Sequence, residues 1–452
     1  MVQYSLSRNS KNRPQKNDDI FEVNMIANKN GDVVTTSNRF PVDAVLGGAA
    51  SYSTVGNLSA QQDAFGRLRI SHPHTIFDSS FRYPGSNNKW NSKRTGTTTV
   101  AHNANQALVD LTVGTASGDE IVRETDRTFG YQPGKSLFIM NTMTFASAKN
   151  NLRQRVGYFG KYNGIYLEQD GLDKYIVKRS YVTGEIVNTR IPQSQWNVDK
   201  LDGTGLSGVT IDLSKSHIFW VDIEWLGVGS VRSGFVINGQ YIICHIFHHA
   251  NETIGTYITT ATLPIRYEIT NTGATESSSM LKQICSTVIS EGGYEQIGIT
   301  RAVSNPITGK NLTNSINNPM ISIKLRENHT DAVVIPRLLT MYGIQNTGFV
   351  YKIIKDCTLT NASWNLTDSG SAVEYDLSAT GITGGTTVFQ GVFFGQETID
   401  PVDLSDHFNH GLQLTRKIIE ADSAGDILTF AVVPTTNNDD ATLALTWQEI
   451  TQ

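Results

Sequence analysis

From about residue 64 onward the chain alternates apolar and polar side chains in short runs. Examples are "SLFIMNTMTF" (136–145), "NGIYLEQDG" (163–171), "YIVKRSYVTGEIVNTRI" (175–191), "IFWVDIEWL" (218–226) and "PIRYEITNTG" (264–273). A period of two puts successive side chains on opposite faces of a strand. The runs are rich in β-branched and aromatic residues, and turn residues punctuate them, so the pattern predicts an all-β sandwich. The clearest hairpin is "FVINGQYIICHIF" (235–247), in which Asn238-Gly239 supplies the positive-φ pair of a type I′ turn.

A looser polar stretch, "TRAVSNPITGKNLTNSINNPM" (300–320), reads as a boundary or long connection. Beyond it "AVVIPRLLTMYGI", "GFVYKIIKDCTL", "TTVFQGVFFG", "DILTFAVV" and "ATLALTWQEI" repeat the strand-and-turn pattern and predict a second, smaller β-sandwich over 306–452. Helical periodicity is nearly absent, with "DHFNHGLQLTRKIIEAD" (406–422) at most a short helix or loop. Residues 1–62 hold apolar pieces too short for a core. They read either as a disordered terminus or as an extended arm that orders on a partner subunit, with Arg8, Lys11, Arg13 and Lys16 as the docking candidates.

Composition narrows the classes. Charged residues are 17% of the 452, below the roughly 25% of an average soluble protein, and the net charge of -5 offers no basic field for nucleic acid. The three cysteines, Cys244, Cys285 and Cys357, have neither disulfide-framework nor zinc spacing. The first residues carry no apolar signal-peptide core and no run reaches the length of a membrane span, so neither secretion through a signal peptide nor membrane insertion is expected.

The chemistry-bearing residues concentrate in 217–251. On a strand, Asp222 and Glu224 share a face with Cα atoms about 6.6 Å apart, within reach of the roughly 5–9.5 Å that glycoside hydrolysis uses. The segment resembles the E-x-D-x-E strand of the laminarinase and lichenase type of glucan hydrolase, but the first Glu position holds Trp220, which cannot serve as a nucleophile. The chain is therefore expected not to be an enzyme, with Phe219, Val221, Ile223 and Trp225 facing the core. His245 shares a face with Tyr241, Ile243 and Phe247 while His248 falls on the other, so the three histidines do not converge unless the strand ends at Phe247, and no metal or cofactor is expected. "GVG" (227–229) and "GTG" (203–205) lack the strand-to-helix setting of a phosphate loop.

Several segments together resemble virion structural proteins of large tailed marine phages. "DAFGRLRIS" (63–71) with "TIFDSSF" (75–81) resembles their N-terminal motif. The block from "NGIYLEQDG" through "HIFWVDIEWLGVGSVRSGFVINGQYIICHIFHHAN" to "LPIRYEITNTG" resembles their concanavalin-like jelly roll, and "LALTWQEI" the way such chains end. The resemblance implies a jelly roll over 63–305 and a tail, baseplate or fibre-associated subunit. Such a subunit is assembled in the host cytoplasm, released by lysis, and homo-oligomeric with other virion proteins as partners. A capsid decoration or head-fibre protein and a polysaccharide depolymerase are the alternatives. Jelly rolls bind glycans on a sheet or in end loops, which makes Tyr158, Tyr162, Trp196, Asp222 and Glu224 the candidate host-glycan contacts.

Overall fold

The computed structural model describes residues 72–451 apart from 85–88, 296, 328, 330–331, 397–400, 406–413 and 415–425. The arm with Arg8, Lys11, Arg13 and Lys16, and the "DAFGRLRIS" motif, lie outside the described residues. Among the described residues no helix is long and apolar enough to cross a membrane.

The first sandwich has two antiparallel sheets. One has seven strands in the order Val187–Pro192, Asp173–Ser180, Gly164–Asp170, Leu152–Phe159, Ile265–Asn271, Glu120–Thr125 and Trp90–Thr95. The other has eight, in the order Gln240–Phe247, Val231–Ile237, His217–Ile223, Ser136–Thr144, Ser279–Glu291, Leu108–Val113 and Thr98–Asn103, with Pro73–Ser80 added beside Ser279–Glu291. Neighbours far apart in the chain, such as Ile265–Asn271 between Leu152–Phe159 and Glu120–Thr125, make this a concanavalin-like jelly roll rather than a meander. The expected hairpin is present, with Asn238 at φ 53° and Gly239 at φ 76°.

The strand Ser136–Thr144 alternates buried and half-buried along its whole length, as a sheet with one face on the core requires. Its inward Leu137, Ile139 and Met143 meet Phe219, Val221 and Ile223 from the neighbouring strand in one large core. Gly164–Asp170 and Ile265–Asn271 behave otherwise: almost every residue is buried on both faces. Something polar therefore closes the outer face of the seven-stranded sheet.

The second sandwich pairs a five-stranded sheet with a six-stranded one. The five are Ile299–Ser304, Asp439–Ile450, Val333–Gly343 and Val402–Asp403, with Lys310–Leu312 also on Asp439–Ile450. The six are Asn365–Leu366, Val373–Asp376, Asn318–Leu325, Ile427–Pro434, Gly348–Lys355 and Thr386–Phe394. Residues 300–320, expected as a connection, instead supply two of these strands, because Ile299–Ser304 and Lys310–Leu312 both pair with Asp439–Ile450. A polar strand at a sheet margin has one face and one edge in water, so it shows no apolar run to read. The second core is built around Trp447, Phe430 and Phe349.

A half-buried cation links the two sandwiches. Lys355 Nζ, at the end of Gly348–Lys355, lies 2.9 Å from Asp426 Oδ2 and hydrogen-bonds Asp126, which follows the first sandwich's strand Glu120–Thr125.

Candidate functional site

The outer face of the seven-stranded sheet carries charge where a buried strand ordinarily carries none. Register sets Glu124 opposite Arg266, Glu268 opposite Arg155, Arg155 opposite Glu168, and Glu168 opposite Tyr175. Opposed residues of an antiparallel pair share a face, so the charges line up across the sheet. Arg266 joins Glu124 (Nε–Oε2 2.8 Å) to Glu268 (Nη1–Oε1 2.9 Å). Arg155 joins Glu268 (Nη1–Oε2 3.1 Å) to Glu168 (Nε–Oε2 2.6 Å). Arg190 ends the row on Glu168 (Nε–Oε1 2.6 Å) and Asp170 (Nη2–Oδ2 2.7 Å). The result is an unbroken ladder of alternating sign.

Burying such groups singly is costly, and it is tolerated only when each charge is matched and hydrogen-bonded. Burial by itself raises the Glu268 carboxyl, but Arg266, Arg155 and Arg179 outweigh it and hold it down at about 2. Burial lowers Arg155, and the charges of Glu268 and Glu168 more than reverse this. Glu268 is thus a fixed anion and not a proton donor near neutrality.

Packing closes the middle of the face. Gly157 leaves a gap beside Tyr166, where an added Cβ would lie 2.7 Å from the Tyr166 Cβ. The Tyr166 ring packs 4.3 Å from that of Phe159, with the guanidinium carbons of Arg155 and Arg179 at 5.5 and 5.2 Å. The margin formed by Val187–Pro192 stays open to solvent. There Arg190 stacks 4.0 Å over the Tyr175 ring, with the Arg190 and Asp170 side chains 36% and 34% exposed.

The sequence-derived candidates fall elsewhere. Tyr158 is a core residue, because its side chain points inward: its Oη lies 2.5 Å from the carbonyl oxygens of both Phe129 and Ala261, so it is closed to ligand. Trp196 is likewise buried and donates to Ile191 O at 3.2 Å. The sequence pattern offers both as glycan contacts, but a ring beside a turn fills the sandwich end as readily as it meets solvent. Tyr162 stays at the surface against Tyr181, with ring centroids 4.7 Å apart. Asp222 is buried and ion-paired with Arg232, and burial raises its carboxyl. Glu224 does not share its face: the strand ends at Ile223, and the exposed Glu224 instead accepts from Ser230 N at 3.0 Å in the following turn.

The strand ends at Phe247, so His248 and His249 lie beyond it and alternation does not set their faces. His245 Nδ1 accepts from Asn197 N at 3.4 Å, and burial lowers its imidazole to about 4. His249 sits between Gly229 O (2.8 Å) and Lys178 Nζ (2.9 Å), and His248 is exposed. Among the described residues no three His, Cys, Asp or Glu side chains group as a metal set.

The ladder is not legible as a whole because two of its pairs join residues far apart in the chain, Arg155 with Glu268 across 113 positions and Arg266 with Glu124 across 142. One signal was available. "PIRYEI" places Arg266 and Glu268 two apart, hence on one face of an otherwise apolar run.

No family model matches the chain, and no curated protein matches it. Solved structures similar to it include a Bacillus licheniformis β-glucanase, at 12% identity and TM-score 0.32, covering 50% of this chain and 99% of that one. A Bacteroides ovatus mixed-linkage glucan GH16 protein in complex with product has 10% identity and TM-score 0.34, covering 47% and 99%. A CBM2 module of the evolved Dit of Lactobacillus casei BL23 phage J-1 has 6% identity and TM-score 0.32, covering 50% and 100%.

The expectation that the chain is not an enzyme is corrected here. Glycoside hydrolases stand among the similar structures. The indole at 220 that carried the expectation belongs to the eight-stranded sheet, whereas the carboxylate-rich face is that of the seven-stranded sheet.

Proposed function

We propose that this chain is a structural subunit of a tailed phage particle, carried on the tail, baseplate or fibre, whose jelly roll turns a glycan-binding face to the host surface. One observation supports the glycan part above the rest: the open margin of the seven-stranded sheet, where Tyr175, Arg190 and Asp170 are held by the ladder behind them. A sugar offers an apolar C–H face and a fringe of hydroxyls. A ring stacked under a guanidinium, next to a half-exposed carboxylate, provides a flat surface, fixed donors and an acceptor. The ladder orients these groups in advance, which lowers the cost of ordering them on binding. Support for the particle role is the sequence resemblance, together with two sandwiches clamped by Lys355, an arrangement suited to holding shape outside a cell.

The test uses the full chain and purified host surface polysaccharide. Wild type is expected to bind it, and Arg190→Ala and Tyr175→Ala to weaken binding about tenfold or more, as loss of a stacked, charge-assisted contact does. Undiminished binding by both variants removes the sheet margin from consideration. Reducing ends released in the same mixture would add cleavage to binding. Mass spectrometry of gradient-purified particles tests the structural role, which fails if the chain is missing from them.

A further inference from the structure

The second sandwich leaves one sheet edge unguarded. Its six-stranded sheet ends on Thr386–Phe394, which among the described residues pairs only with Gly348–Lys355. The other margins of this sandwich are short or charged. Asn365–Leu366 and Val402–Asp403 are two residues long, Lys310–Leu312 is three, and Ile299–Ser304 carries Arg301. Such edges resist pairing with another chain. Thr386–Phe394 is nine residues, "TTVFQGVFF", with neither a charge nor a proline. Its one irregularity comes early: Ile353 faces Phe389 and Ile354 faces Thr387, so Val388 bulges and the run 389–394 stays regular.

Register fixes what this edge presents. Gly348 faces Phe394, so Thr347 and Gly395 are the next opposed pair, and Gly395 N donates to Thr347 O at 2.9 Å. Hydrogen-bonded and non-bonded pairs alternate along an antiparallel ladder. Phe393 and Gly391 therefore bond inward to Gly348–Lys355. Phe394, Val392 and Gln390 turn their N–H and C=O groups the other way, to the open side. Side chains alternate as well. Phe393 is buried in the second core with its ring 4.8 Å from that of Phe349, which puts the flanking Val392 and Phe394 on the outer face, 70% and 56% exposed. Outward backbone groups and exposed apolar side chains thus coincide on the same short run.

We propose that Thr386–Phe394 is the edge at which two copies of this chain join, antiparallel about a two-fold axis through Val392, so that their six-stranded sheets continue as one. A row of alternating N–H and C=O groups is matched by another strand, and the strand of a second copy matches in register. Val392 meets its counterpart and Gln390 meets Phe394, outward-turned residue against outward-turned residue, so every open donor on the run finds an acceptor. Charge permits the pairing, because a neutral strand meets a neutral strand and no like charges stand opposite. Val392 and Phe394 of one copy cover those of the other diagonally across the ladder. The assembly closes at two, since a two-fold uses the same edge twice and the far margin of the sheet is the two-residue Asn365–Leu366. One edge strand buries less than a standard interface, so the dimer dissociates on dilution. This inference goes beyond the glycan reading and uses none of its residues.

The test measures the mass of the full chain by sedimentation over a dilution series. Wild type is expected to pass from dimer to monomer as it is diluted. Val392→Pro removes an N–H that Gly348–Lys355 does not use, so the sheet is kept while the bonds donated at the axis are lost, and dimer affinity is expected to fall about tenfold or more. Val392→Lys sets like charges opposite each other at the axis and is expected to dissociate the dimer as well. Both substitutions sit at an exposed edge, and the urea midpoint of the monomer is expected to stay at the wild-type value. Val392→Cys in air-oxidised buffer is expected to give a covalent dimer that wild type does not, because opposed Cα atoms about 5.5 Å apart lie within disulfide range. A wild type that stays monomeric at every concentration overturns the inference, as does a dimer that Val392→Pro and Val392→Lys leave intact. Neither substitution touches Tyr175, Arg190 or Asp170, so polysaccharide affinity per chain is expected to be unchanged, and a failure of the sheet margin and a failure of this edge are separate results.

Discussion

Both sandwiches tie turns with buried carboxylates fed by backbone amides, as Asp119 and Asp199 do in the first, and the first adds a row of carboxylates matched by arginines. In the first, Glu124, Glu168 and Glu268 are matched to Arg155, Arg190 and Arg266 across an exterior sheet face. In the second, buried carboxylates tie down loops through neutral donors. Asp376 accepts from Ser363 N, Ser378 N and Ala379 N at 2.7, 3.1 and 2.9 Å. Glu449 accepts from Ala372 N, Ser371 Oγ and Trp447 Nε1 at 2.8, 2.7 and 2.9 Å, with Arg301 as its one cation. A carboxylate fed by backbone amides fixes a local turn, whereas one fed by arginines from other strands fixes a surface. The difference separates the region that holds the chain in shape from the region that carries an orientable chemical face.

Breaking the ladder in its middle is expected to have the largest effect. Arg155→Met strands Glu168 and Glu268 as buried, partly unpaired charges, and the loss should be about 3–5 kcal/mol in denaturant unfolding. In the second sandwich, Glu449→Gln keeps the shape but turns charge-assisted bonds into neutral ones and leaves Arg301 half-paired, for about 1–3 kcal/mol. If the two losses proved equal, the contrast between surface-fixing and turn-fixing carboxylates would fail.

pH sharpens the comparison through opposite signs. Glu268 sits at about 2 instead of 4.5. A lowered carboxyl contributes stability that is present above 4.5 and is lost as pH falls toward 2, so the ladder is acid-labile. Burial pushes Asp426 at the clamp up to about 7, against the pull of Lys355 and with Asp126 and Asp356 adding to the rise. A raised carboxyl contributes stability that is full below about 4 and is lost as pH climbs through 7. Urea midpoints from pH 2 to 8, for wild type and for Glu268→Gln, should show the acid limb flattened in the variant and the neutral limb unchanged. The smallest effect is expected at Lys324–Glu374, a half-buried pair at 3.1 Å, where Glu374→Gln should cost no more than about 1 kcal/mol in the same assay.

Residues one turn or one strand apart made much of this molecule readable in the chain. The period of two in 136–145 and the Asn238-Gly239 pair state local geometry, and local sterics enforce it whatever else the chain does. Alternation stops being a guide at Phe247, where the strand ends and leaves His248 and His249 beyond it. Local pattern also misled where two environments share one spelling. Tyr158 and Trp196 sit beside turns, yet they face inward, and 300–320 reads as linker although two strands of a sheet margin lie within it.

What sequence alone determined, then, was strands, their faces and the hairpin, because these depend on neighbours along the backbone. Tertiary structure alone decided which charges meet. Arg266 finds Glu124 across 142 positions, and Arg155 finds Glu268 across 113. Sheet order brings these groups together, and order follows from how the whole core closes, a property that no single segment encodes.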